Sequence, residues 1–552
     1  MVVAGLAHAA SMAAPWSGEP LWWLQLLAML LLVRQLLWAP SPRQAALAAW
    51  VFATSWLYGT FWWLYVSMHV YGGLNPVVTV LAVLALAAAL ALYYALAAYL
   101  FALWGPAIGG WAAIYFAALW MLAEMARGIL FTGFGWGAAG YAHHELLGSL
   151  AKYVGAYGLA ALAAYIAAQV ALTFSPAKLA SEERANQQLE QRERFTRGLG
   201  RFMPQRNRLK ELTGVVLIVA MALAADREYS QPGQTTEVAL LQGNIKQSEK
   251  FEPAVGIADA LKWYRATAHA QISGPAPVTR LTPRLVVLPE TAIPILPQQL
   301  PDGYWPDLIA PFVISPHALM AGIPLGSYQD GYTNSVVAVQ AGAGQAVLQA
   351  SYTYSKHHLV PFGEFIPPLF KWFTQMMNIP LGDFNRGAVA QPSFIWQGQR
   401  LAPNICYEDL FGEELAARFA DPAQAPTVFV NISNIGWFGN TVAIDQHRNI
   451  SRMRALEFER PFVRATNTGD TVVIDYQGRV THALPRHTRG VLNATVQGRG
   501  GSATGDGTGD GITPYARWVA RFWLWPLVAG ALAIVALAGL RNRRGGHGLM
   551  VQ

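Results

Sequence analysis

The chain has 552 residues, of which 53% are hydrophobic and only 13% are charged. Soluble proteins carry about 25% charged residues, so this composition excludes a wholly soluble protein and indicates segments that lie in a lipid bilayer. The 39 Lys and Arg residues against 32 Asp and Glu give a net charge of +7, but no basic run is interleaved with aromatic residues, and we therefore expect no nucleic-acid partner.

Residues 1–230 are predicted to form an α-helical membrane domain. No Asp, Glu, Lys or Arg occurs from Gln44 to Ala123, which is enough for about three crossings of roughly 20 residues each. The apolar stretches predict spans over residues 21–38, 48–67, 77–104, 107–123, 153–174 and 212–225. A shorter apolar fragment at residues 1–14 is a weak first span, which makes about seven spans in this domain.

Three clusters of basic residues predict the orientation of these spans. Arg34 and Arg43 follow the span over 21–38, a second cluster lies between Lys178 and Lys210, and the third is the tail LRNRRGGH. Basic residues in short loops stay in the cytoplasm, and the four spans between the first two clusters return the chain to that side. Residues 514–552 are then a final membrane helix, over 518–540, and a cytoplasmic tail, and the block before them lies outside the cytoplasm.

Residues 237–513 are predicted to form one extramembrane α/β domain. Short β-rich runs such as RLVVLPETAI, LAPNICYEDL and TVFVNISNIG alternate here with segments of helical spacing. The predicted strand in each of these three runs finishes with a polar or reactive residue, namely Glu290, Cys406 and Asn434. Because strand C-termini converge on a shared crevice in α/β folds, we expect these side chains to meet, with Lys356 of the run YSKHHLVPFGEFIP beside them.

These residue types together suit covalent acyl chemistry. A thiol attacks an acyl carbon efficiently when a neighbouring base, here Glu290, removes its proton, and a cation such as Lys356 stabilises the developing oxyanion. Two carboxylates, Glu290 and Glu364, beside the same ammonium would keep Lys356 protonated despite burial. Cys406 is the only cysteine of the chain, so no disulfide forms within the chain, and Cys406 is the predicted nucleophile.

Each of these residues also has a structural interpretation. A lone cysteine in an apolar run is more often buried filler, and Glu290 after a strand suits a helix N-cap. Lys356 alone suits a solvated surface, and Glu364 after PFG suits a turn. The combination favours catalysis, because Pro-Glu after an apolar strand, the lysine of KHHLVPFGE and Cys-Tyr-Glu after another apolar strand occur in that order.

The segments LPETAIP, YSKHHLVPFGEFIP and NICYEDLF resemble the three signature segments of the nitrilase superfamily, whose members use a Glu-Lys-Cys triad. Together with LLQGNIKQ, NISNIGWFGN and the multispan first half, they resemble the bacterial apolipoprotein N-acyltransferase family. The resemblance implies a nitrilase-like α-β-β-α sandwich attached to a multispan α-helical membrane domain. It also implies an integral protein of the bacterial inner membrane whose catalytic domain, residues 237–513, faces the periplasm.

The resemblance implies a role for each candidate residue. Glu290 is the general base, Lys356 the stabilising cation, Cys406 the nucleophile and Glu364 a second essential glutamate. Cys406 would take the sn-1 acyl chain of a phospholipid, typically phosphatidylethanolamine, and pass it to the α-amine of a diacylglyceryl-cysteine in an apolipoprotein. No metal or cofactor is implied, and we expect a monomer in contact with membrane lipids. The residues that match positions lining the family's site are Asn334, Tyr407 and Glu408.

Lipid contacts are predicted for aromatic residues near the catalytic segments. The run PPLFKWFTQMMNIPLGDFN, with Trp372 and Phe373, has the spacing of a core helix, but it also suits an apolar lid that admits an acyl chain. Trp437 and Phe438 would extend the apolar surface of this lid. Phe251 lies where an indole is common in the family. Two further departures from the family are Ile435 in place of Asp and Lys246 in place of Pro.

Two other functions remain open at this point. A membrane-anchored nitrilase-type amidohydrolase would use the same triad, with water rather than an amine resolving the thioester. Several spans and an apolar lid favour a lipid substrate, because one anchor suffices for a hydrolase of soluble substrates. A transporter with an external binding module would place charged residues within its spans, and the uncharged stretch over 44–123 disfavours it.

Overall fold

The computed structural model describes residues 1–105, 109–174, 212–225, 227–273, 282–344, 346–366, 384–501 and 510–545. Within these ranges a group of helices precedes a domain of twelve strands. Side-chain caps start two of the helices: Ser41 Oγ accepts the N–H of Gln44, and Asn75 Oδ1 accepts that of Val77, each before a proline at the first turn. The helices of this group are α1 (Val2–Met12), α2 (Trp22–Trp38), α3 (Pro42–Phe61), α4 (Pro76–Leu90), α5 (Leu92–Trp104), α6 (Gly109–Ile129), α7 (Ala151–Thr173) and α8 (Thr213–Ala224).

Three helices within the described ranges are long and apolar enough to cross a membrane: Pro76–Trp104, Gly110–Thr132 and Gly148–Thr173. They coincide with the spans predicted over 77–104, 107–123 and 153–174. The shorter apolar helices are α1, α2 and α8, and the stretch 48–67 is divided between α3 and a π-helix at Val66–Tyr71. A fourth span results if Pro514–Phe522 and Trp525–Leu540 are counted as one. That pair differs from the single final helix predicted over 518–540, because the chain bends there by 84°.

The ends of these helices lie alternately near to and far from the strand domain. α3 ends against it, where Trp63 Nε1 donates to Gln446 Oε1 (2.9 Å), and α7 begins against it, where Ala156 N donates to Glu457 Oε1 (2.7 Å). The C-terminal ends of α1 and α6 and the start of α2 also contact it. At about 1.5 Å per residue, α3 covers about 30 Å, the thickness of a bilayer core. Arg43 therefore lies at the end of the helices that faces away from the strand domain.

Arg127, near the end of α6, holds the turn that leads from this helix towards α7. Its Nη1 donates to Phe134 O (2.5 Å) and Trp136 O (2.7 Å). Glu124, one helical turn earlier, accepts the N–H of Ala139 (2.9 Å). Buried backbone groups need a hydrogen-bond partner, and these two charged side chains supply it along the turn, which borders the site described below.

The second half of the chain is a sandwich of two six-stranded sheets. The first sheet has the order β12-β1-β2-β3-β4-β5 and the second the order β11-β10-β9-β8-β7-β6. Strands β1 to β3 run parallel in the first sheet, and β7 to β9 run parallel in the second. The strands are β1 (Gln231–Gln242), β2 (Arg284–Val287), β3 (Ala318–Ser327), β4 (Gly331–Val339), β5 (Tyr352–Ser355), β6 (Phe394–Trp396), β7 (Gln399–Ile405), β8 (Val428–Ser433), β9 (Phe462–Thr466), β10 (Val472–Ile474), β11 (Val480–Ala483) and β12 (Gly490–Gly500).

The inner faces of the two sheets form an apolar core, in which Val238 and Leu240 of the first sheet cluster with Ile405 and Ile432 of the second. Helices cover both outer faces and complete the predicted α-β-β-α sandwich, so the predicted fold class is confirmed. The membrane helices pack on the helical layer of the second sheet. The remaining helices are α9 (Ala258–Ile272) and α10 (Tyr304–Val313) on the first sheet, α11 (Gly412–Ala416) and α12 (Ala443–Phe458) on the second, then α13 (Pro514–Phe522) and α14 (Trp525–Gly545).

Candidate active site

Four candidate residues follow strand ends and meet at one edge of the sandwich. Lys356 comes directly after β5, Cys406 directly after β7 and Asn434 directly after β8, while Glu290 follows β2 by three residues. Because β7 and β8 are parallel neighbours, Cys406 and Asn434 lie at the same edge of the second sheet. Glu290 reaches them from the first sheet, since the N–H of Asn434 donates to Glu290 Oε2 (2.7 Å).

Lys356 is the centre of a buried polar network. Its Nζ lies 2.8 Å from Glu364 Oε2 and 3.6 Å from Glu290 Oε1, and its side chain is 1% exposed. Asn334 Nδ2 donates to both carboxylates, at 2.7 Å to Glu290 and 2.8 Å to Glu364. The backbone N–H of Lys356 donates to Asn334 O (2.8 Å). The structure thus brings these four predicted residues together.

The charge of Lys356 follows from these contacts. Burial alone would lower the pKa of the ammonium, but the carboxylates of Glu364 and then Glu290 outweigh it and raise the pKa of Lys356 above its usual value. Lys356 is therefore a cation at neutral pH, which is the form that stabilises an oxyanion.

Cys406 begins the 3-10 helix Cys406–Leu410 with a φ of +51, a conformation that residues with a side chain seldom adopt. Burial, and then the charge of Glu290, raise the pKa of the thiol from 9.0 to about 12, while Lys356 opposes this rise. The resting group is thus a neutral thiol, so its attack on an acyl carbon requires a base that takes the proton.

Glu408 connects the loop of the nucleophile to the strand that precedes Lys356. Its buried carboxylate accepts the N–H groups of Ile405 (2.7 Å) and His357 (2.6 Å) and the hydroxyl of Tyr354 (2.8 Å). One carboxylate therefore holds the residue before the predicted nucleophile, Ile405, and the residue after the predicted cation, His357. Glu408, predicted as a lining residue, thus lies beside Cys406 and Lys356 and holds the backbone next to both.

Aromatic contacts place one wall of the site against the membrane half. The ring of Phe438 lies 4.3 Å from that of Trp63, and the ring of Trp437 lies 5.7 Å from that of Tyr71. Both predicted lipid-contact residues therefore pack on side chains that precede α4. Aromatic rings from both halves of the chain therefore form this wall.

The other predicted lining residues have different surroundings. Tyr407 OH donates to Gly133 O (3.2 Å) in the turn after α6, and Phe251 is partly buried. Trp372 and Phe373 lie outside the described residues, so the proposed lid stays a prediction.

The two departures from the family lie in contrasting places. Ile435 is 2% exposed and belongs to the apolar cluster shared with the membrane helices. Lys246 is exposed and pairs with Glu249 at 3.0 Å. Ile435 thus contributes to the apolar contact between the two halves, whereas Lys246 is a surface residue.

Lys250 is a buried residue of the site that the sequence pattern did not single out. Its Nζ donates to Thr291 Oγ1 (2.6 Å) and to Glu290 O (3.2 Å), so it holds the backbone of the predicted base. Burial lowers the pKa of Lys250 from 10.5 to about 7, although Glu290 opposes this shift. The sequence signal that could have identified Lys250 is its position after β1. This strand pairs in parallel with β2, the strand that precedes Glu290.

The sandwich and the sequence together place the second half in the carbon-nitrogen hydrolase class. The family model described as "Carbon-nitrogen hydrolase" matches residues 237–504, and the one described as "Apolipoprotein N-acyltransferase N-terminal domain" matches residues 5–169. Among solved structures, the carbon-nitrogen hydrolase from Helicobacter pylori G27 is 16% identical over 53% of this chain and 94% of that chain, with a TM-score of 0.33.

Relatives match most of the chain. The apolipoprotein N-acyltransferase of Verminephrobacter eiseniae strain EF01-2 is 53% identical over 543 residues, which cover 95% of this chain and 92% of that protein. The apolipoprotein N-acyltransferase of Bordetella bronchiseptica is 38% identical over 449 residues, 79% of this chain and 74% of that protein. This chain therefore belongs to the apolipoprotein N-acyltransferase family and is a bacterial membrane protein.

Proposed function

We propose that this chain is an acyltransferase that moves one acyl chain from a phospholipid to the N-terminal amine of a diacylglyceryl-cysteine in a lipoprotein, through a thioester at Cys406. The observation that carries the proposal is the buried ammonium of Lys356 between Glu290 and Glu364, next to the only thiol of the chain. Membership of the family supports the same reaction.

In the first half-reaction Glu290 takes the thiol proton while Sγ of Cys406 forms a bond to the sn-1 ester carbonyl carbon. The π electrons of that carbonyl move to its oxygen, where Lys356 stabilises the negative charge. The bond from this carbon to the glycerol oxygen then breaks, and the leaving oxygen takes the proton from Glu290. The products are an acyl thioester and a lysophospholipid.

In the second half-reaction the amine of the acceptor attacks the thioester carbonyl, and Glu290 accepts a proton from the amine. Lys356 again stabilises the oxyanion, and the carbon–sulfur bond breaks as the amide forms. The departing sulfur of Cys406 takes the proton back from Glu290. The enzyme returns to its starting state, so the reaction is of the ping-pong type.

A water molecule in place of the amine would hydrolyse the thioester and release a fatty acid, and this hydrolytic second step is the one that an amidohydrolase of the same fold would use. The contacts of Phe438 with Trp63 and of Trp437 with Tyr71 set the site against the membrane half. This arrangement favours a donor and an acceptor that are both anchored in the bilayer. We propose phosphatidylethanolamine as the donor and a monomer as the active form.

The organisation that we propose is a membrane domain over residues 1–230, a catalytic domain over 237–513 and a C-terminal membrane helix with a basic tail over 514–552. The protein crosses the bacterial inner membrane several times, with the catalytic domain in the periplasm. The contacts of the end of α3 and of the start of α7 with the strand domain support this proposal, as does the basic residue Arg43 at the opposite end of α3.

The test uses purified full-length protein with phosphatidylethanolamine labelled in its sn-1 chain and a synthetic diacylated lipopeptide. Wild type is expected to carry label that hydroxylamine releases and to convert the peptide to a labelled triacylated form. Cys406→Ser is expected to form no thioester and to transfer no label, whereas Ile314→Ala, a change at an exposed side chain of the same domain, is expected to behave as wild type. Label released as free fatty acid, with no labelled peptide, would instead favour a hydrolase, in which water resolves the thioester.

A further inference from the structure

A buried polar cluster beneath the nucleophile holds the backbone carbonyl of Cys406. His447 Nε2 lies 3.1 Å from this oxygen, and Asn431 Nδ2 donates to it, also at 3.1 Å. His447 is on α12 and Asn431 on β8, and both side chains are buried. Neither belongs to the reacting groups assigned above, so their position under the nucleophile needs a separate explanation.

The neighbours of His447 decide where its proton is. Arg464 Nη2 lies 3.1 Å from Nδ1, and a guanidinium only donates hydrogen bonds, so Nδ1 accepts and Nε2 carries the hydrogen. That hydrogen is directed at two acceptors, the oxygen of Cys406 and Asp409 Oδ1 at 2.9 Å. Asp409 also binds Arg464 (2.8 Å), and Ser451 bonds both. His447 is therefore a fixed neutral donor towards Cys406 O.

The carbonyl of Cys406 and the N–H of Tyr407 belong to one peptide unit. In a trans peptide the C=O and N–H bonds point in opposite directions in one plane, so donors that hold the oxygen also set the direction of the N–H. Tyr407 lies in the first turn of the helix Cys406–Leu410, where backbone N–H groups have no acceptor within the helix. This N–H is thus available to a ligand on the side away from His447.

We propose that His447 and Asn431 are positioning residues: they hold the oxygen of the peptide unit between Cys406 and Tyr407 and so keep its N–H directed at the oxyanion beside Lys356. The inference rests on the proposed acyl transfer: when Sγ bonds to the acyl carbon, the carbonyl oxygen gains the electron pair, and the Tyr407 N–H and the Lys356 ammonium both stabilise it. The left-handed φ of Cys406 makes such support necessary, because this conformation is unfavourable for a residue with a side chain.

The experiment compares two reactions of the only cysteine in the purified full-length protein. Single-turnover thioester formation from labelled phosphatidylethanolamine passes through an oxyanion, whereas alkylation by iodoacetamide does not. Complete loss of an oxyanion donor costs about 10²- to 10³-fold, and His447→Leu retains Lys356 and Asn431. We therefore expect thioester formation to slow about 10- to 100-fold in His447→Leu, with alkylation within about 2-fold of wild type.

Two variants serve as comparisons. His447→Gln keeps an N–H donor at the end of the side chain and is expected to recover most of the rate. His269→Leu removes an imidazole that bonds a backbone carbonyl, Leu308 O at 3.0 Å, elsewhere in the catalytic domain, and is expected to change neither reaction. If the His447→Leu protein does not accumulate, Asn431→Ala removes the other donor to Cys406 O. The rates of thioester formation and alkylation of that variant then test the inference in the same way.

The outcomes separate the inference from the proposed function. If wild type forms no thioester, the proposed function is wrong. If wild type and His447→Leu form the thioester equally fast, only the role of His447 is wrong. A parallel fall of thioester formation and alkylation would also overturn the inference, because it would show that His447 supports the thiol itself and not the oxyanion.

Discussion

At the scale of single residues, two charges act in opposite directions on the thiol of Cys406. Glu290 raises the pKa of this thiol and Lys356 lowers it, yet the proposed reaction needs both. Burial, and then the negative charge of Glu290, keep the thiol protonated at rest, because both disfavour a thiolate. Glu290 then accepts the proton when the acyl carbon is in place. The amount of resting thiolate and the rate of acyl transfer should therefore respond differently to the same substitutions.

Glu290→Gln is expected to lower the pKa of the Cys406 thiol below its value of about 12, because the neutral amide removes a charge that raises it. Lys356→Met is expected to raise the pKa further, because the ammonium no longer favours the thiolate. At any pH between 9.0 and about 12, Glu290→Gln thus has more thiolate than wild type, and Lys356→Met has less. Both are expected to lose acyl transfer by at least about 10²-fold.

The measurement is the rate of iodoacetamide alkylation against pH, which reports on Cys406 alone because it is the only cysteine. Wild type and Ile314→Ala serve as references. Coincident alkylation profiles for Glu290→Gln and Lys356→Met would contradict the assigned charges.

At the scale of elements, α7, α12 and α13 meet at a residue without a side chain. Gly155 interrupts α7 with a φ of +64, and the next N–H, of Ala156, donates to Glu457 of α12 (2.7 Å). A Cβ on Gly155 would lie 2.2 Å from the ring of Tyr515 in α13. Glycine is needed here both for its backbone conformation and for the close approach of the ring, so this position connects the membrane half to the catalytic domain.

Gly155→Ala is expected to destabilise the protein, by about 1–3 kcal/mol from the backbone conformation alone and more from the contact with Tyr515. The matched control is Gly110→Ala in α6, where a Cβ would meet Gln169 at an ordinary 3.8 Å. Thermal unfolding of both variants in detergent is the measurement. A midpoint for Gly155→Ala equal to that of the control would show that α7 and α13 do not need this approach.

The segment that contains Trp372 and Phe373 is the predicted lid for the acyl chain. Trp372→Ala combined with Phe373→Ala is expected to raise KM for micellar phospholipid several-fold, because less apolar surface contacts the lipid. Ile314→Ala with Ile395→Ala removes two exposed apolar side chains of the same domain and is expected to leave KM unchanged. An unchanged KM for the variant that combines Trp372→Ala and Phe373→Ala would refute the lid.

At the scale of the whole molecule, the proposed orientation places the two ends of α3 on opposite sides of the membrane. Arg43, at the start of α3, belongs to one of the basic clusters. Trp63, just after the end of α3, contacts Gln446 of the catalytic domain. Lys246 is exposed on that domain. These two positions therefore report the orientation without disturbing buried contacts.

Single cysteines at the two positions test the orientation in the Cys406→Ser background. A membrane-impermeant maleimide is expected to label Lys246→Cys in intact cells from which the outer membrane has been removed. Arg43→Cys is expected to react only after the inner membrane is permeabilised. Labelling of Arg43→Cys in intact cells, with Lys246→Cys protected, would reverse the proposed topology.

Much of this protein can be predicted from sequence because the relevant signals are local. The long uncharged stretch predicts membrane helices, and the apolar runs that end in Glu290, Cys406 and Asn434 predict an α/β domain with converging side chains. The confirmed sandwich follows from these patterns. The break at Gly155 and the bend between α13 and α14 were not predicted, because a glycine or a tryptophan in an apolar run does not by itself show where packing interrupts a helix.

The sequence was sufficient to predict membrane helices in the first half, the class of the catalytic domain and the candidate Glu-Lys-Cys triad. The contacts that support this triad became visible in the folded chain: Asn334 lies between the two carboxylates, Lys250 behind Glu290 and His447 beneath Cys406. The physical reason is that hydrogen bonds and ion pairs depend on distances of about 3 Å between residues far apart in the chain. No local pattern encodes those distances, and they arise when the two sheets and the membrane helices pack together.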